Sequence, residues 1–126
     1  MRRKLGSGAK WEDIVGYSRI VQVGKTIELA GTTAAKDGKV LFPGDAYNQT
    51  KYILSLFDEK LKEFDSSLND VVRTRVYVTN IKEWEKVGKA HGEFFSKIKP
   101  ASTLLEVSAL VDPEMLVEIE ATAILD

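Results

Sequence analysis

Residues 71–78 read Val-Val-Arg-Thr-Arg-Val-Tyr-Val, which is the clearest strand signal in the chain. Small or apolar side chains alternate along this stretch with arginine and tyrosine, so one face is predicted to be buried and the other polar. The first set comprises Val72, Thr74, Val76 and Val78, and the second comprises Arg73, Arg75 and Tyr77. The flanking segments should therefore supply partner strands and a cover for the apolar face.

A helix is predicted directly after this strand, from about Thr79 to about Ile98, because Pro100 lies just beyond it. Two further strands follow, at residues 101–107 and 115–124, separated by a turn-forming segment. In the last strand one face carries Met115, Val117, Ile119, Ala121 and Ala123, and the other carries Leu116, Glu118, Glu120, Thr122 and Ile124. The second, mixed face suggests an interface or a binding site.

A longer helix is predicted upstream, beginning after Asp45 as the N-cap and ending at about Phe64. Its apolar side chains recur at the spacing of a helix that lies on a sheet. They are Ile53, Phe57 and Leu61. Before this helix, residues 17–23 and 26–30 predict a hairpin around Gly24-Lys25.

The predicted order ββαβαββ fits a single α+β domain that spans residues 1–126, with a mixed sheet and two helices on one of its faces. The chain contains no linker, low-complexity tract or internal repeat that would divide it. The opposite face of the sheet is then left without a cover.

Composition excludes several classes of function. Eighteen Lys plus Arg against nineteen Asp plus Glu give a net charge of −1, too balanced for a dedicated nucleic-acid module. The absence of cysteine excludes disulfides, thiol nucleophiles and thiolate metal sites. No apolar run approaches the length of a membrane span, and no apolar segment follows the basic start of the chain. We therefore expect a cytoplasmic protein with no cofactor, no metal, no nucleic-acid partner and no membrane partner.

Six short stretches, in this order and spacing, resemble the RidA/YjgF family along almost the whole chain. They are Gly16-Tyr17-Ser18-Arg19, Ala30-Gly31-Thr32, Arg73-Thr74-Arg75-Val76-Tyr77-Val78, Phe94-Phe95, Pro100-Ala101 and Val117-Glu118-Ile119-Glu120-Ala121. The resemblance implies a chorismate-mutase-like subunit, a homotrimer and ligand clefts between neighbouring subunits. It also implies hydrolysis of reactive enamines or imines, such as 2-aminoacrylate, to a keto acid and ammonia.

The sequence departs from the family pattern at the position of a substrate-binding arginine. The family has Pro-Ala-Arg where this chain has Pro100-Ala101-Ser102. A guanidinium grips a carboxylate with two charge-assisted hydrogen bonds, whereas a serine hydroxyl offers one neutral donor. Ala30 and Leu104 replace a serine and a cysteine that are common in the family. The chain is thus expected to belong to an arginine-lacking subgroup in which ordinary 2-aminoacrylate deaminase activity is not expected.

Matches to the family and the pattern of the strands together give two candidate ligand-binding residues near the first strand, besides Gly31. Tyr17 matches the family, and Arg19 lies two residues beyond it, so both would point to the same face of an extended strand. Arg19 is a candidate replacement for the missing anion anchor. The alternative is an exposed strand arginine or an ion pair between subunits. Gly31 retains the family glycine and serves either a tight turn or a close approach to ligand.

Two residues are candidates for catalysis. His91 is the chain's only histidine, and the unperturbed pKa of histidine makes it the natural general acid or base; a packed helix histidine is the alternative. Glu118 resembles the family glutamate that places the hydrolytic water. Ser102 and Glu106 share a strand face and are candidate substrate-binding residues. We expect their strand to pair with the last one, which would bring them towards Glu118 and Glu120. Glu120 is expected to form salt bridges to neighbouring arginines instead.

The functional alternatives belong to different classes. One is a trimeric hydrolase or deaminase acting on a small, anionic imine-, enamine- or amide-type metabolite. Another is a noncatalytic module that senses a metabolite in the same clefts, and a third is a partner-binding protein without a ligand. The Trp11 side chain, in an arm before the first strand, is expected to pack on its own or a neighbouring subunit.

Overall fold

The computed structural model describes residues 2–126 and contains a six-stranded sheet, a small two-stranded sheet and three α-helices. In chain order the elements are β1 (Arg2–Leu5), α1 (Lys10–Val15), β2 (Ile20–Val23), β3 (Thr26–Thr32), β4 (Ala35–Lys36), β5 (Lys39–Val40), α2 (Ala46–Lys62), β6 (Val71–Val78), α3 (Trp84–Phe95), β7 (Ala101–Glu106) and β8 (Val117–Ile124). The elements predicted from the sequence are all present, and β1, α1 and the β4–β5 hairpin are additional.

The large sheet is mixed, with strand order β1-β2-β3-β8-β6-β7. Strands β6 and β7 are parallel because α3 carries the chain back to the end of the sheet where β6 began. Strand β8 then pairs antiparallel with both β3 and β6. The predicted pairing of the last two strands is therefore wrong. Ser102 and Glu106 lie beside β6 on an edge strand, separated from Glu118 by that strand.

Helices α2 and α3 pack on one face of the sheet, as predicted. The α2 side chains of Ile53, Phe57 and Leu61 are buried there. The core contributed by the sheet consists of Ile27, Leu29, Val76, Val78, Val117, Ile119, Ala121 and Ala123. Because these residues alternate along their strands, the intervening side chains of β6 and β8 point to the opposite, open face.

One residue of β6 lies on a different face from the one its pattern predicts. The register with β8 shifts between Val71 and Arg73, which is a bulge-type irregularity. Val71 is consequently buried, whereas Val72 is 43% exposed. A shift of one residue exchanges the two faces of a strand, so the alternation is regular only from Arg73 onward.

The amino-terminal segment forms structure that the sequence pattern did not predict. Strand β1 pairs with β2, and Arg3 Nη2 donates to the Glu63 carbonyl at the end of α2 at 2.8 Å. Helix α1 ends at Gly16, whose φ of 89° lies in the left-handed region that favours glycine. Residues 17–19 are a loop, so the predicted first strand begins only at Ile20.

A fully buried glutamine on α2 joins two loops to the helix layer. Gln49 Nε2 donates to the carbonyls of Leu41, Phe42 and Glu114, and its Oε1 accepts from the Leu116 N–H. These bonds fix the chain directly before β8, which carries Glu118. Among residues 2–126, no helix combines the length and apolar character needed to cross a membrane.

Candidate functional site

A cavity of about 820 Å³ opens between α1, the carboxyl end of β3 and the start of β8. Its lining includes Trp11, Glu12, Tyr17, Arg19, Gly31 and Glu118. Four of these are site residues predicted from the sequence, and the fold brings them together from three separate segments. The cavity is larger than needed for a single water molecule and suits a small metabolite.

Arg19 is one of three cationic residues that line this cavity, together with Lys36 and Lys60. Its Nη1 donates to Thr32 Oγ1 at 3.0 Å, and its Nε lies 3.6 Å from Glu12 Oε2. The guanidinium carbon lies 5.1 Å from the centre of the Tyr17 ring, a cation–π geometry. The buried Nε makes no hydrogen bond within residues 2–126. The guanidinium is thus oriented but retains unused donor capacity.

Glu12 is a buried acid that the sequence analysis did not single out as a site residue. It is 7% exposed and accepts hydrogen bonds from the Ser7 N–H, at 3.0 Å, and from the Ser7 hydroxyl. Through Ser7 and Arg19, Glu12 on α1 connects the loop before α1 to the loop before β2. The pairing positions α1, with its half-exposed Trp11, as the rim of the cavity. Glu12 lies beside Trp11 in a polar segment without hydrophobic periodicity, so no signal in the sequence indicated that Glu12 is buried at the cavity.

Glu118 lies beside Gly31, where β8 meets the irregular end of β3. The register of these strands shifts between Leu29 and Thr32. A Cβ atom added to Gly31 would overlap the Glu118 carboxylate and lie 3.1 Å from its Cδ. Gly31 thus provides the space that this carboxylate occupies. Burial raises the pKa of the Glu118 carboxyl, Arg19 opposes the shift, and Glu120 adds to it.

Glu118→Gln is expected to raise the melting temperature at neutral pH, with the difference from wild type disappearing in acid. Because the pKa of Glu118 is raised on folding, its contribution to stability is complete below the unfolded-state pKa and is lost as the pH rises through the folded-state pKa. The amide avoids the cost of a partly buried charge. Thermal denaturation across this range tests the prediction. Glu59→Gln, at an exposed position on α2, is the control and should show no such difference; equal behaviour of the two variants would refute it.

A second polar cluster lies on the helix side of the sheet. His91 Nε2 is 2.9 Å from Thr74 Oγ1, and Thr74 Oγ1 is hydrogen-bonded to Ser102 Oγ at 2.8 Å. The imidazole also stacks at a tilt on Phe95, with ring centres 4.7 Å apart. Burial lowers the pKa of His91. Thr74 is fully buried and was visible in the sequence only as one member of the alternating strand.

The remaining predicted residues lie apart from both clusters. Glu106 Oε1 accepts from the Ile81 N–H at 2.9 Å at the start of the turn before α3. Glu120 accepts from the Tyr77 hydroxyl, and its Oε1 lies 3.6 Å from Arg75 Nε, which confirms the salt bridge expected with Arg75. The one expected with Arg73 is not formed, since Arg73 Nη2 donates to Thr103 Oγ1 at 2.7 Å. In one subunit, therefore, the Arg19 cavity and the His91 cluster are separate. Over residues 2–126, no group of three or more histidine or acidic side chains is arranged to hold a metal ion.

The family model described as endoribonuclease L-PSP matches residues 8–125. The chain belongs to the RidA/YjgF family. Its α+β subunit is the fold of that family, as the resemblance implied. The matched residues of this RidA/YjgF subunit include those of the Arg19 cavity from Gly8 onward and those of the His91 cluster.

Known proteins similar to this RidA/YjgF chain cover nearly its full length. A crystal structure of a YjgF family member from Mycobacterium tuberculosis has a TM-score of 0.89 and 42% identity, covering 99% of this chain and 100% of that one. An uncharacterized protein of Streptomyces coelicolor is 37% identical over 121 residues, 96% of this chain and 90% of the relative. A RutC family protein of Pyrococcus abyssi is 35% identical over 109 residues, 85% of this chain and 84% of the relative.

Proposed function

We propose that the protein is a homotrimer that binds a small anionic imine-, enamine- or amide-type metabolite in clefts between subunits and hydrolyses or deaminates it. The observation that carries the proposal is the meeting of Arg19, Gly31 and Glu118 in one cavity of about 820 Å³. This arrangement combines a cation for an anionic ligand with a carboxyl group whose pKa is raised. Family membership supports the reaction class.

Arg19 binds the carboxylate of the ligand in this proposal. The guanidinium is held by Thr32 through Nη1 and by Glu12 beside the buried Nε, and its Nη2 makes no hydrogen bond within residues 2–126. An oriented guanidinium loses less conformational entropy on binding a carboxylate than a free one would. Since Glu12 and Glu118 both lie near Arg19, a bound anion raises the pKa of Glu118 further, and binding is expected to take up a proton.

Glu118 handles the proton in this proposal. Its protonated carboxyl donates to the imine nitrogen, and the resulting carboxylate then orients and deprotonates the attacking water. The carbinolamine that forms breaks down to a carbonyl product and ammonia. Gly31 contributes by leaving the carboxylate its space. Ser102 replaces the family arginine, so 2-aminoacrylate itself is not the expected substrate.

A neighbouring subunit completes the cleft in this proposal. The open face of the sheet carries large apolar side chains that solvent still reaches, Leu105 at 48% and Ile124 at 44%. Tyr77, Arg75 and Glu120 lie on the same face. A mixed apolar and polar surface of this kind suits contact with another copy of the chain. Ser102 lies on the helix side of the edge strand β7 and matches the family's substrate-binding position, so we place it at the edge where the Arg19 cavity of another copy would meet it.

Sedimentation velocity combined with an imine-hydrolysis assay tests this function. We expect a species of three times the 14.0 kDa chain mass and ammonia release from imines generated in situ from several amino acids. An arginine-bearing relative is the positive control. A stable monomer at assay concentration would contradict the shared cleft. A trimer that binds carboxylates without turnover would contradict catalysis and support the metabolite-sensing alternative.

A further inference from the structure

Three side chains from three different elements form one continuous hydrogen-bonded chain. His91 on α3 contacts Thr74 on β6 at 2.9 Å, and Thr74 contacts Ser102 on β7 at 2.8 Å. Thr74 is 0% exposed, while Ser102 lies at the exposed edge of the sheet. The chain therefore leads from a partly buried imidazole, through the core, to a hydroxyl that solvent or a ligand can reach.

Two arrangements of the hydrogens satisfy both contacts, because the positions of the oxygen and nitrogen atoms do not fix them. In the first arrangement, His91 carries its hydrogen on Nε2 and donates to Thr74, Thr74 donates to Ser102, and the Ser102 hydroxyl donates outward. In the second arrangement, Ser102 donates to Thr74, and Thr74 donates to an Nε2 atom that carries no hydrogen.

Packing alone does not account for a threonine at this position. Val76 and Val78 follow Thr74 on the same buried face of β6. Valine has the same branched shape and would fill the space without burying a hydroxyl, which costs free energy unless it is hydrogen-bonded. The hydroxyl of Thr74 has partners on both sides, which is the requirement for a buried polar chain that remains ordered.

We propose that the hydrogens take the first arrangement, and that Thr74 is a positioning residue, which with His91 fixes Ser102 as an outward hydrogen-bond donor to a carboxylate or carbonyl oxygen of the ligand. The inference rests on the proposed function, because that ligand is the metabolite anchored by Arg19 of an adjacent subunit. The Ser102 hydroxyl then contributes to the selectivity for the ligand as well as to its affinity. A hydroxyl held as a donor favours ligands that present an acceptor, and it discriminates against an amine at the same place.

Nitrogen-15 NMR of the imidazole tests the direction of the chain without any ligand. His91 is the only histidine, so the spectrum contains one imidazole system. We expect the Nε2–H tautomer in the wild-type protein and in Thr74→Ser, with an Hε2 signal protected from exchange. In Thr74→Val the protection should be lost. The Nδ1–H tautomer in wild type, or an unchanged signal in Thr74→Val, overturns the proposal.

Calorimetric titration with pyruvate tests the consequence for binding. Thr74→Val should weaken pyruvate about tenfold, the loss of roughly one well-formed hydrogen bond, while Thr74→Ser stays within about twofold of wild type. His91→Phe, which can still stack near Phe95 but has no donor, should resemble Thr74→Val. Equal affinities across these variants overturn the proposal.

The two measurements separate this inference from the proposed function. If wild type binds neither pyruvate nor a larger 2-oxo acid, the proposed function fails, and the NMR result still decides which arrangement the hydrogens take. If wild type binds pyruvate through Arg19 but the imidazole signal is unchanged in Thr74→Val, the inference about Thr74 fails and the proposed function stands. Thermal melts of Thr74→Val and His91→Phe establish that the titrated variants are folded.

Discussion

Arg19→Gln is expected to weaken pyruvate binding by about 100-fold, on the order of 3 kcal/mol, because it removes the one guanidinium that lines the cavity and leaves only Lys36 and Lys60 as cations there. A neutral amide cannot form two parallel charge-assisted hydrogen bonds with a carboxylate. Arg19→Lys keeps the charge but not the planar fork, and its affinity should lie between the two. Calorimetric titration of the three proteins provides the measurement.

Two controls isolate the effect of the guanidinium on the ligand. Arg2→Gln makes the same substitution at an exposed position of β1 and should leave the affinity unchanged. Because removing Arg19 leaves buried Glu12 without its counter-charge, circular dichroism must establish that the variant is folded. A folded Arg19→Gln protein with wild-type affinity for pyruvate would show that Arg19 is not the anion anchor.

Gln49→Leu is expected to lower the free energy of unfolding by about 3 kcal/mol or more, because it leaves four partly buried backbone groups without partners. Leucine is close to glutamine in size and creates no large cavity. The carbonyls of Leu41, Phe42 and Glu114 and the N–H of Leu116 would lose their bonds, which measure 2.9 to 3.2 Å. Urea denaturation monitored by tryptophan fluorescence measures the change.

The matched control is Gln22→Leu on β2. The Gln22 amide donates only to the Gly24 carbonyl in an exposed turn, and its replacement should cost less than about 0.5 kcal/mol. Similar losses for the two variants would contradict the structural role of Gln49. Because Glu114 and Leu116 lie just before Glu118, Gln49→Leu should also reduce pyruvate affinity at temperatures where the protein remains folded.

The elements with strong local periodicity could be predicted from the sequence. The Ile53, Phe57 and Leu61 stripe predicted α2, although the helix ends at Lys62 rather than Phe64. The alternation in residues 71–78 predicted β6 with the bounds that the structure has. Strand β1 was missed because Arg2-Arg3-Lys4 resembles a charged tail, and its pairing with β2 is a tertiary contact.

The pairing of strands was harder to predict because it joins distant residues. Strands β7 and β8 are neighbours in sequence, yet β8 inserts between β3 and β6. The bulge beside Val72 is also a property of the strand pair, and the pattern of one strand does not contain it. The first error moved the predicted neighbours of Glu118 and Ser102 to the wrong place, and the second placed Val72 on the wrong face of β6.

The candidate site was predicted in part through family resemblance and in part through strand alternation. Tyr17, Arg19, Gly31 and Glu118 lie together, although residues 17–19 form a loop rather than the strand on which the argument for Arg19 relied. Their chemical roles stay predictions. Glu12 and Thr74 were not predicted as site residues, since their buried hydrogen bonds arise only when separate segments pack.

A crystal structure of the protein with pyruvate is the most direct test of the central claim. The account predicts a trimer in which the pyruvate carboxylate contacts the Arg19 guanidinium, lies beside Gly31 and Glu118, and meets Ser102 of a neighbouring subunit. Pyruvate bound elsewhere, with Arg19 paired only to Glu12 and no second subunit at the cavity, would contradict it.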